Sequence, residues 1–184
     1  MKHLENEKQL LSAEEINHII DKLAYEINNN YIDAEFTAVV ILKAGFVFAA
    51  DLLRKVFNCS EVRFVTVQSY ENNKSTQEVK CYAMEEIFVS GKNVLIIDTI
   101  CDSGLTLSTV KTSIEGAKPK TIKTCVLLDK KECRKHHVRL DYVGMTCPNR
   151  SVYGYGLDYN QKFRNLNNIY YIEDVKEDTH GSTR

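Results

Sequence analysis

One short stretch of the chain combines acidic, hydroxyl and glycine residues in a pattern that suits phosphate binding. Residues 94–97 are apolar, Asp98 and Asp102 follow, and residues 103–106 read Ser-Gly-Leu-Thr. We expect a buried strand, an acidic turn and the start of a helix, with the backbone N–H groups of residues 103–106 pointing into one concavity. Gly104 lets the backbone come close to a ligand there. An anion site with two carboxylates beside it suggests a phosphorylated substrate together with Mg²⁺.

The plainer interpretation of the same residues is a helix that follows a strand and is capped by Asp102 and Ser103. Two common nucleotide-binding patterns are missing from the chain. It has no G-x-x-x-x-G-K-[ST], which excludes an ordinary P-loop, and no G-x-G-x-x-G, which disfavours a dinucleotide-binding fold.

Apolar runs of strand length alternate with helical patterns along the chain. Ser12 and Glu15 form a capping box before a helix that ends near residues 28–30, and further helices are predicted at 46–57 and about 106–115. The predicted strands lie at residues 38–42, 62–67, 94–97, 124–128, 142–145, 152–155 and 169–172, with a short ribbon arm at 79–83. This alternation predicts an α/β fold with a parallel sheet and flanking helices. Ligands of such sheets bind at the carboxyl ends of the strands.

The composition fits a single globular domain of 184 residues, with 43% hydrophobic and 27% charged residues. A net charge of −1 supplies no basic field for nucleic acid or an acidic membrane. No apolar run approaches the ~20 residues that span a bilayer, and residues 1–7 are polar, unlike a secretory signal. The six cysteines form no C-x-x-C pair and are interpreted as free cytosolic thiols, so a structural metal site is not expected. We therefore expect a cytoplasmic protein without nucleic-acid or membrane partners.

Five motifs, in order along the chain, resemble those of the hypoxanthine-guanine phosphoribosyltransferases, which are type I phosphoribosyltransferases. Residues 94–107 resemble that family's phosphoribosyl diphosphate signature. The other four motifs are Leu42-Lys43-Ala44-Gly45, Ser69-Tyr70, Leu127-Leu128-Asp129-Lys130, and residues 152–159 followed by 163–166. The resemblance extends from about Ser12 to Asp174, and separate motifs in the right order are far more specific than one.

The resemblance implies a type I phosphoribosyltransferase fold in a single domain, 1–184. That fold has a parallel sheet core, here about residues 34–145. It also has a small hood formed by the chain termini, about 1–33 and 146–176, and a mobile lid at about 69–80.

The resemblance also implies a purine salvage enzyme. It would transfer 5-phosphoribosyl from phosphoribosyl diphosphate to hypoxanthine or guanine, with Mg²⁺ as cofactor, and release IMP or GMP and pyrophosphate. A homodimer or homotetramer is implied as well. Two alternatives stay open: a nucleotide-binding regulator of the same fold without turnover, and a transferase that prefers xanthine or another 6-oxopurine.

Residue by residue, the resemblance makes Asp102 the general acid or base near the purine N7. The 5′-phosphate would be bound by Asp102, Ser103, Gly104, Leu105 and Thr106, and the ribose by Asp98 and Thr99. The purine would be bound by Lys130, Val152, Tyr153 and Asp158. The pyrophosphate would be bound by Lys43, Ala44, Gly45, Ser69, Tyr70 and Arg164, and the metal by Asp98 and Asp158.

Plainer alternatives exist for some of these residues. Lys130 begins a charged run with Lys131, which is typical of a solvated turn, and Asp158 with Arg164 could form a surface ion pair. The resemblance further implies a non-proline cis peptide bond between Leu42 and Lys43.

Three positions depart from the family's pattern. Thr99 stands where a second acid is usual, so we expect weaker handling of the ribose or of Mg²⁺. Ala44 replaces a glycine of the pyrophosphate loop, which stiffens it. Ser151 replaces the aromatic residue that usually stacks on the purine. Because residues i and i+2 share one face of a strand, we expect Tyr153, or in second place Tyr155, to cover the purine instead.

Overall fold

Strands and helices alternate along most of the chain. The computed structural model describes residues 3–71, 77–82 and 88–173, and only the backbone is described at 68–71 and 77–82. In chain order its elements are β1 (Glu7–Leu11), α1 (Ala13–Asn30), β2 (Phe36–Leu42), α2 (Gly45–Leu53), β3 (Cys59–Glu71), β4 (Gln77–Tyr82), β5 (Asn93–Cys101), α3 (Leu105–Gly116), β6 (Thr121–Asp129), β7 (Tyr142–Thr146), β8 (Val152–Tyr153) and β9 (Ile169–Ile172), with a 3₁₀ turn at Lys131–Cys133.

The main sheet has the strand order β4-β3-β2-β5-β6-β7. The strands from β3 to β7 pair in parallel, whereas β4 pairs antiparallel with β3 and forms the arm of a ribbon. Apolar side chains of the central strands pack on both faces, against α1 and α2 on one side and against α3 on the other. The predicted α/β fold, a parallel sheet flanked by helices, is confirmed.

Helix α1 begins at a capping box and is stabilised by packing of its apolar face against the sheet. The Glu15 N–H donates to Ser12 Oγ at 3.2 Å and the Ser12 N–H donates to Glu15 Oε2 at 2.7 Å, which is the predicted capping box. Its buried positions recur at helical spacing and face the sheet: Ile16, Ile20, Leu23, Ala24 and Ile27. None of the helices within the described ranges combines the length and apolarity needed to cross a lipid bilayer.

A second, three-stranded sheet brings the two ends of the described chain together, in the order β1-β9-β8. Strand β1 was not predicted, because its residues carry little apolar alternation and it forms through antiparallel pairing with β9. Strand β8 is shorter than the predicted strand at 152–155. Gly154 and Tyr155 take positive φ angles of 94° and 52°, and this conformation turns the chain out of the strand.

Two element boundaries differ from prediction for reasons visible in the structure. Helix α2 ends at Leu53 rather than at 57. The Asn28 side chain accepts the Phe57 N–H, and the Asn58 side chain donates to the Tyr31 carbonyl oxygen, which together draw the chain away from the helix axis. Strand β3 runs beyond the predicted 67 because it pairs with β4 as far as Glu71. The central part of the predicted lid, residues 72–76, lies outside the described residues.

Candidate active site

A cavity of about 620 Å³ opens at the carboxyl ends of β2, β3 and β5. Parallel strands carry their ligand-binding loops at this edge, so the position follows from the topology. The cavity is lined by Ile41, Leu42, Lys43, Ala44, Thr66, Val67, Asp98, Ile100, Cys101, Asp102, Ser103, Gly104, Thr106, Leu107, Asp158, Gln161 and Arg164. The structure therefore brings residues of the 42–45 loop, the acidic turn and the hood to one cleft.

The acidic turn forms a cradle at the start of α3. Gly104 precedes the helix with φ of 86°, a conformation that favours glycine. A Cβ at this position would lie 2.5 Å from the His136 carbonyl oxygen, so side chains are excluded. The Leu105 N–H donates to Ser103 Oγ at 3.3 Å. Backbone N–H groups at a helix start, with hydroxyls of Ser103 and Thr106 beside them, suit a phosphate group.

The segment after β6 supports this cradle from behind. The N–H groups of Lys135 and His136 both donate to the Ser103 carbonyl oxygen at 2.9 Å. Arg134 Nε donates to the Asp102 carbonyl oxygen at 3.2 Å, and the same guanidinium forms an ion pair with Asp129. Nothing in the sequence signals this role of Arg134, which stands in an ordinary basic turn.

Asp102 and Lys130 form an ion pair at the edge of the cleft. Lys130 Nζ donates to Asp102 Oδ2 at 3.1 Å, and the lysine side chain is 8% exposed whereas that of Asp102 is 53% exposed. Lys130 is therefore not part of a solvated turn, while Lys131 beside it is exposed. The arrangement leaves the Asp102 carboxylate accessible from the cleft and holds it with a cation, which suits a proton-transfer group.

Asp98 lies deeper, at the floor of the cleft. Its Oδ1 accepts the Thr99 N–H at 2.7 Å. Burial raises the pKa of Asp98 from 3.8 to about 7, and backbone hydrogen bonds from Thr99 and Ile100 oppose that rise. A cation placed in the cleft would favour the charged carboxylate.

The raised pKa of Asp98 predicts a pH-dependent cost to the folded protein. The folded state holds the proton more tightly than the unfolded state, so the contribution of Asp98 to stability is fully present below about pH 4. It is lost as the pH rises through about 7. We expect the free energy of unfolding of Asp98→Asn, which stays neutral, to rise relative to that of the unsubstituted protein by about 4 kcal/mol between pH 4 and pH 8. Thermal unfolding in metal-free buffer measures this gain, with exposed Asp33→Asn as the control. A constant offset at both pH values would contradict the prediction.

The hood contributes an ion pair to the lining of the cleft. Arg164 Nη2 lies 2.7 Å from Asp158 Oδ1, and Arg164 Nη1 donates to the Gly156 carbonyl oxygen at 2.9 Å. The second carboxylate oxygen of Asp158 accepts the Gln161 N–H at 2.8 Å. The ion pair considered as the plainer alternative exists, and it lines the cavity.

The loop between β2 and α2 carries the predicted pyrophosphate residues. The peptide bond between Leu42 and Lys43 is cis, as the resemblance implied. Lys43 and Ala44 line the cavity, whereas Gly45 is buried as the first residue of α2. Ser69 and Tyr70 lie on β3, where side chains are outside the description, so their predicted roles stay predictions.

The structure does not bring the Tyr153 ring to the cleft, contrary to the expectation that it covers the purine. Its side chain is fully buried in the hood, stacked on Tyr170 at 5.6 Å between ring centroids, and its hydroxyl bonds to Glu7. Tyr155 is also buried, and its hydroxyl donates to Asp51 Oδ2 at 2.5 Å. The Tyr153 ring, enclosed among aromatic side chains of the hood, has no free face for a ligand, and Tyr155 is not part of the lining of the cleft.

Two further predicted binding residues do not line this cavity. Val152 pairs with Tyr171 on β9, and its predicted contact with the purine, through its backbone, stays a prediction. Thr99, expected at the ribose, is fully buried, and its Oγ1 donates to the Ala44 carbonyl oxygen at 2.8 Å instead. Ile100, which was not selected from the sequence, presents an apolar side chain to the cavity next to the acidic turn.

The carboxylates in the cleft fit a Mg²⁺ ion that is shared with a substrate. Within the part of the chain that the structure describes, no group of three or more His, Cys, Asp or Glu side chains could hold a metal ion. Mg²⁺ is usually bound by one or two carboxylates plus substrate phosphates rather than by an all-protein cage. Asp98 and Asp158, which line the same cavity, supply that kind of donor set.

A family model, related sequences and a solved structure that are similar to this chain are all phosphoribosyltransferases. Residues 6–160 match the phosphoribosyl transferase domain. The chain is 40% identical to a hypoxanthine-guanine phosphoribosyltransferase of Aquifex aeolicus, over 91% of this chain and 95% of that protein. It is 41% identical to one of Bacillus subtilis, over 90% of this chain and 92% of that protein. A crystal structure of a hypoxanthine-guanine phosphoribosyltransferase from Bacillus anthracis superimposes with a TM-score of 0.85 at 37% identity, covering 90% of this chain and 98% of that chain.

Proposed function

The chain belongs to the phosphoribosyltransferase family, in its hypoxanthine-guanine branch, and we propose that it makes IMP and GMP in purine salvage. It transfers 5-phosphoribosyl from phosphoribosyl diphosphate to N9 of hypoxanthine or guanine and releases pyrophosphate. The observation that carries the proposal is that three features line one cleft: Asp102, which Lys130 pairs with, the cradle at Gly104, and the Asp158–Arg164 pair.

The reaction breaks the bond from the ribose C1 to the diphosphate oxygen and forms the bond from C1 to the purine N9. Positive charge grows on the ribose while negative charge grows on the leaving diphosphate. The neutral base must lose one proton as its nitrogen bonds to carbon. Asp102, half-exposed to the cleft and held by Lys130, accepts that proton near N7.

The two ends of the donor are bound by different parts of the cleft. Residues 103–106 hold the 5′-phosphate at the start of α3, and Asp98 contacts the ribose hydroxyls. Lys43 and Arg164, which line the same cavity, hold the pyrophosphate. The segment that begins at Ser69 and Tyr70 closes over the substrates and excludes water, which would otherwise attack the ribose C1.

Mg²⁺ is the cofactor we propose, held by Asp98 and Asp158 together with phosphate oxygens of the donor. When bound, it neutralises charge on the diphosphate and orients its oxygens. The support is the donor set: two carboxylates facing one cavity, one of them with a pKa raised by burial.

Lys130 is the proposed source of base selectivity. Its ammonium group can only donate hydrogen bonds, so it matches the carbonyl O6 of hypoxanthine and guanine. Adenine presents an amino group at that position and would leave an N–H of the buried ammonium that is not directed at Asp102 without an acceptor, which disfavours adenine. The 8% exposure of the Lys130 side chain supports this role.

A panel of bases tests the proposal. Purified protein is incubated with phosphoribosyl diphosphate, Mg²⁺ and, separately, hypoxanthine, guanine, xanthine or adenine, and nucleotide formation is followed by absorbance. We expect turnover of hypoxanthine and guanine, with kcat/KM for adenine lower by at least about 10²-fold. Turnover of xanthine or adenine alone would overturn the assigned specificity. No turnover with any base, together with tight GMP binding by calorimetry, would favour a regulator of the same fold.

We also propose a homodimer or homotetramer in the cytoplasm. Large apolar side chains that are exposed at the surface support self-association: Phe46 at the start of α2, and Val62 and Phe64 on β3. Light scattering of the purified chain measures the assembly. The free thiols of the described cysteines support a reducing compartment, which cell fractionation tests.

A further inference from the structure

We propose that Thr99 is a positioning residue for the pyrophosphate loop, which is residues 42–45. The inference rests on the transfer reaction proposed above and adds a role that the family resemblance does not assign. Thr99 is fully buried on β5, and its Oγ1 donates to the Ala44 carbonyl oxygen at 2.8 Å. The hydroxyl thus contacts the loop and not the cleft.

The Ala44 carbonyl is a meeting point of three segments. The first is the loop itself, which leads into α2 at Gly45. The second is β5 through Thr99. The third is the hood, because a Cβ at Gly156 would lie 2.3 Å from the Ala44 oxygen, and Gly156 takes a φ of 93° there. The pyrophosphate loop, strand β5 and the hood therefore all pack around the Ala44 carbonyl oxygen.

Gly156 also connects the Ala44 carbonyl to the Arg164–Asp158 ion pair of the hood. The Gly156 N–H donates to the Arg164 carbonyl oxygen at 2.8 Å, and Arg164 Nη1 donates back to the Gly156 carbonyl oxygen at 2.9 Å. Arg164 in turn pairs with Asp158. A shift of the Ala44 carbonyl would move the loop relative to Arg164, and both groups are proposed to bind the same pyrophosphate.

The chemistry of position 99 explains why a hydroxyl serves here. A carbonyl oxygen requires a donor, and an ionised carboxylate has none. A carboxylate at 99 would also stand beside Asp98, which is already buried, and like charges in one site disfavour ionisation. Thr99 supplies a hydrogen-bond donor without a charge. The position where an acid is usual in the family therefore contacts the pyrophosphate loop in this protein.

The test removes the hydroxyl and keeps the shape. We expect Thr99→Val to raise the KM for phosphoribosyl diphosphate about fivefold, the size of one lost hydrogen bond. The KM for hypoxanthine should change less than about twofold, because the purine contacts are untouched. Thr99→Ser retains the hydroxyl that donates the hydrogen bond, so its KM for phosphoribosyl diphosphate should equal that of the unsubstituted protein. If the valine variant does not fold, Thr99→Ala removes the same hydroxyl.

Thr37→Val is the matched control. Thr37 is also buried, on the neighbouring strand β2, and its hydroxyl has no hydrogen-bond partner within the described part of the chain. The same chemical change there should leave both KM values as in the unsubstituted protein.

Pyrophosphate binding by calorimetry separates this inference from the proposed reaction. If the unsubstituted protein shows no turnover, the reaction proposal fails, and the pyrophosphate dissociation constants of the variants still test the loop contact. Equal pyrophosphate affinity and equal donor KM in Thr99→Val and the unsubstituted protein would overturn the inference. Equal losses in Thr99→Val and Thr37→Val would overturn it as well.

Discussion

Asp102→Asn should lower kcat for hypoxanthine by about 10²–10⁴-fold, the range that general acid–base catalysis contributes. The asparagine amide cannot accept the proton that the base gives up, whereas its carbonyl oxygen still accepts a hydrogen bond from Lys130 Nζ. Steady-state rates with saturating phosphoribosyl diphosphate measure the loss. The donor KM should stay within about threefold, since the 5′-phosphate is held mainly by backbone groups.

The fold should survive this substitution, because the Asp102 side chain is half-exposed and Lys130 is its ion-pair partner. Circular dichroism and thermal unfolding of the variant check that point. Asp33→Asn, the same change at an exposed carboxylate, should keep the full rate. If Asp102→Asn retained kcat within tenfold of the unsubstituted protein, Asp102 would not be the proton acceptor.

Gly104→Ala should damage the phosphate cradle itself. The alanine would have to adopt φ near 86° and would bring its Cβ to 2.5 Å from the His136 carbonyl oxygen, so the turn must shift. We expect the KM for phosphoribosyl diphosphate to rise by at least about 30-fold, because misplaced amides no longer converge on the phosphate. A strain of about 2–3 kcal/mol also predicts a Tm lower by about 5–10 °C.

Gly116→Ala at the other end of the same helix is the matched control. A Cβ at Gly116 meets no heavy atom within 4 Å, so the change should leave the donor KM unaltered and hold or slightly raise the Tm. Equal effects of the two substitutions would show that an alanine at either end of α3 perturbs the protein. They would contradict the role of the Gly104 turn in phosphate binding.

The sequence alone predicts the sheet, its flanking helices and the position of the cleft. The capping box of Ser12 and Glu15, the continuous apolar runs and the acidic turn before α3 are local signals, and each formed as expected. The alternation of these elements leaves little freedom, because parallel strands with crossover helices place the loops that follow the strands at one edge. The resemblance, carried by short motifs, also pointed to the cis peptide at Leu42–Lys43.

The positions of several side chains are determined by contacts with residues that are distant in sequence. Tyr153 was expected to take the place of Ser151 on one strand face, but Ser151 lies outside β8 and is exposed. The Tyr153 hydroxyl bonds to Glu7, 146 positions away, and its ring is enclosed in the hood. Strand β1 likewise has too few apolar residues to be recognised, and it exists because β9 pairs with it.

Thr99 shows most clearly the difference between what the sequence predicts and what the tertiary structure decides. Its residue type is evident in the sequence, where it reads as a missing acid, but the direction of its hydroxyl is set by packing of β5 against the 42–45 loop. Local periodicity fixes which residues enter a strand, since it depends on neighbours in sequence. Which polar group meets which depends on contacts between segments that are distant in sequence, and only the folded chain brings these together.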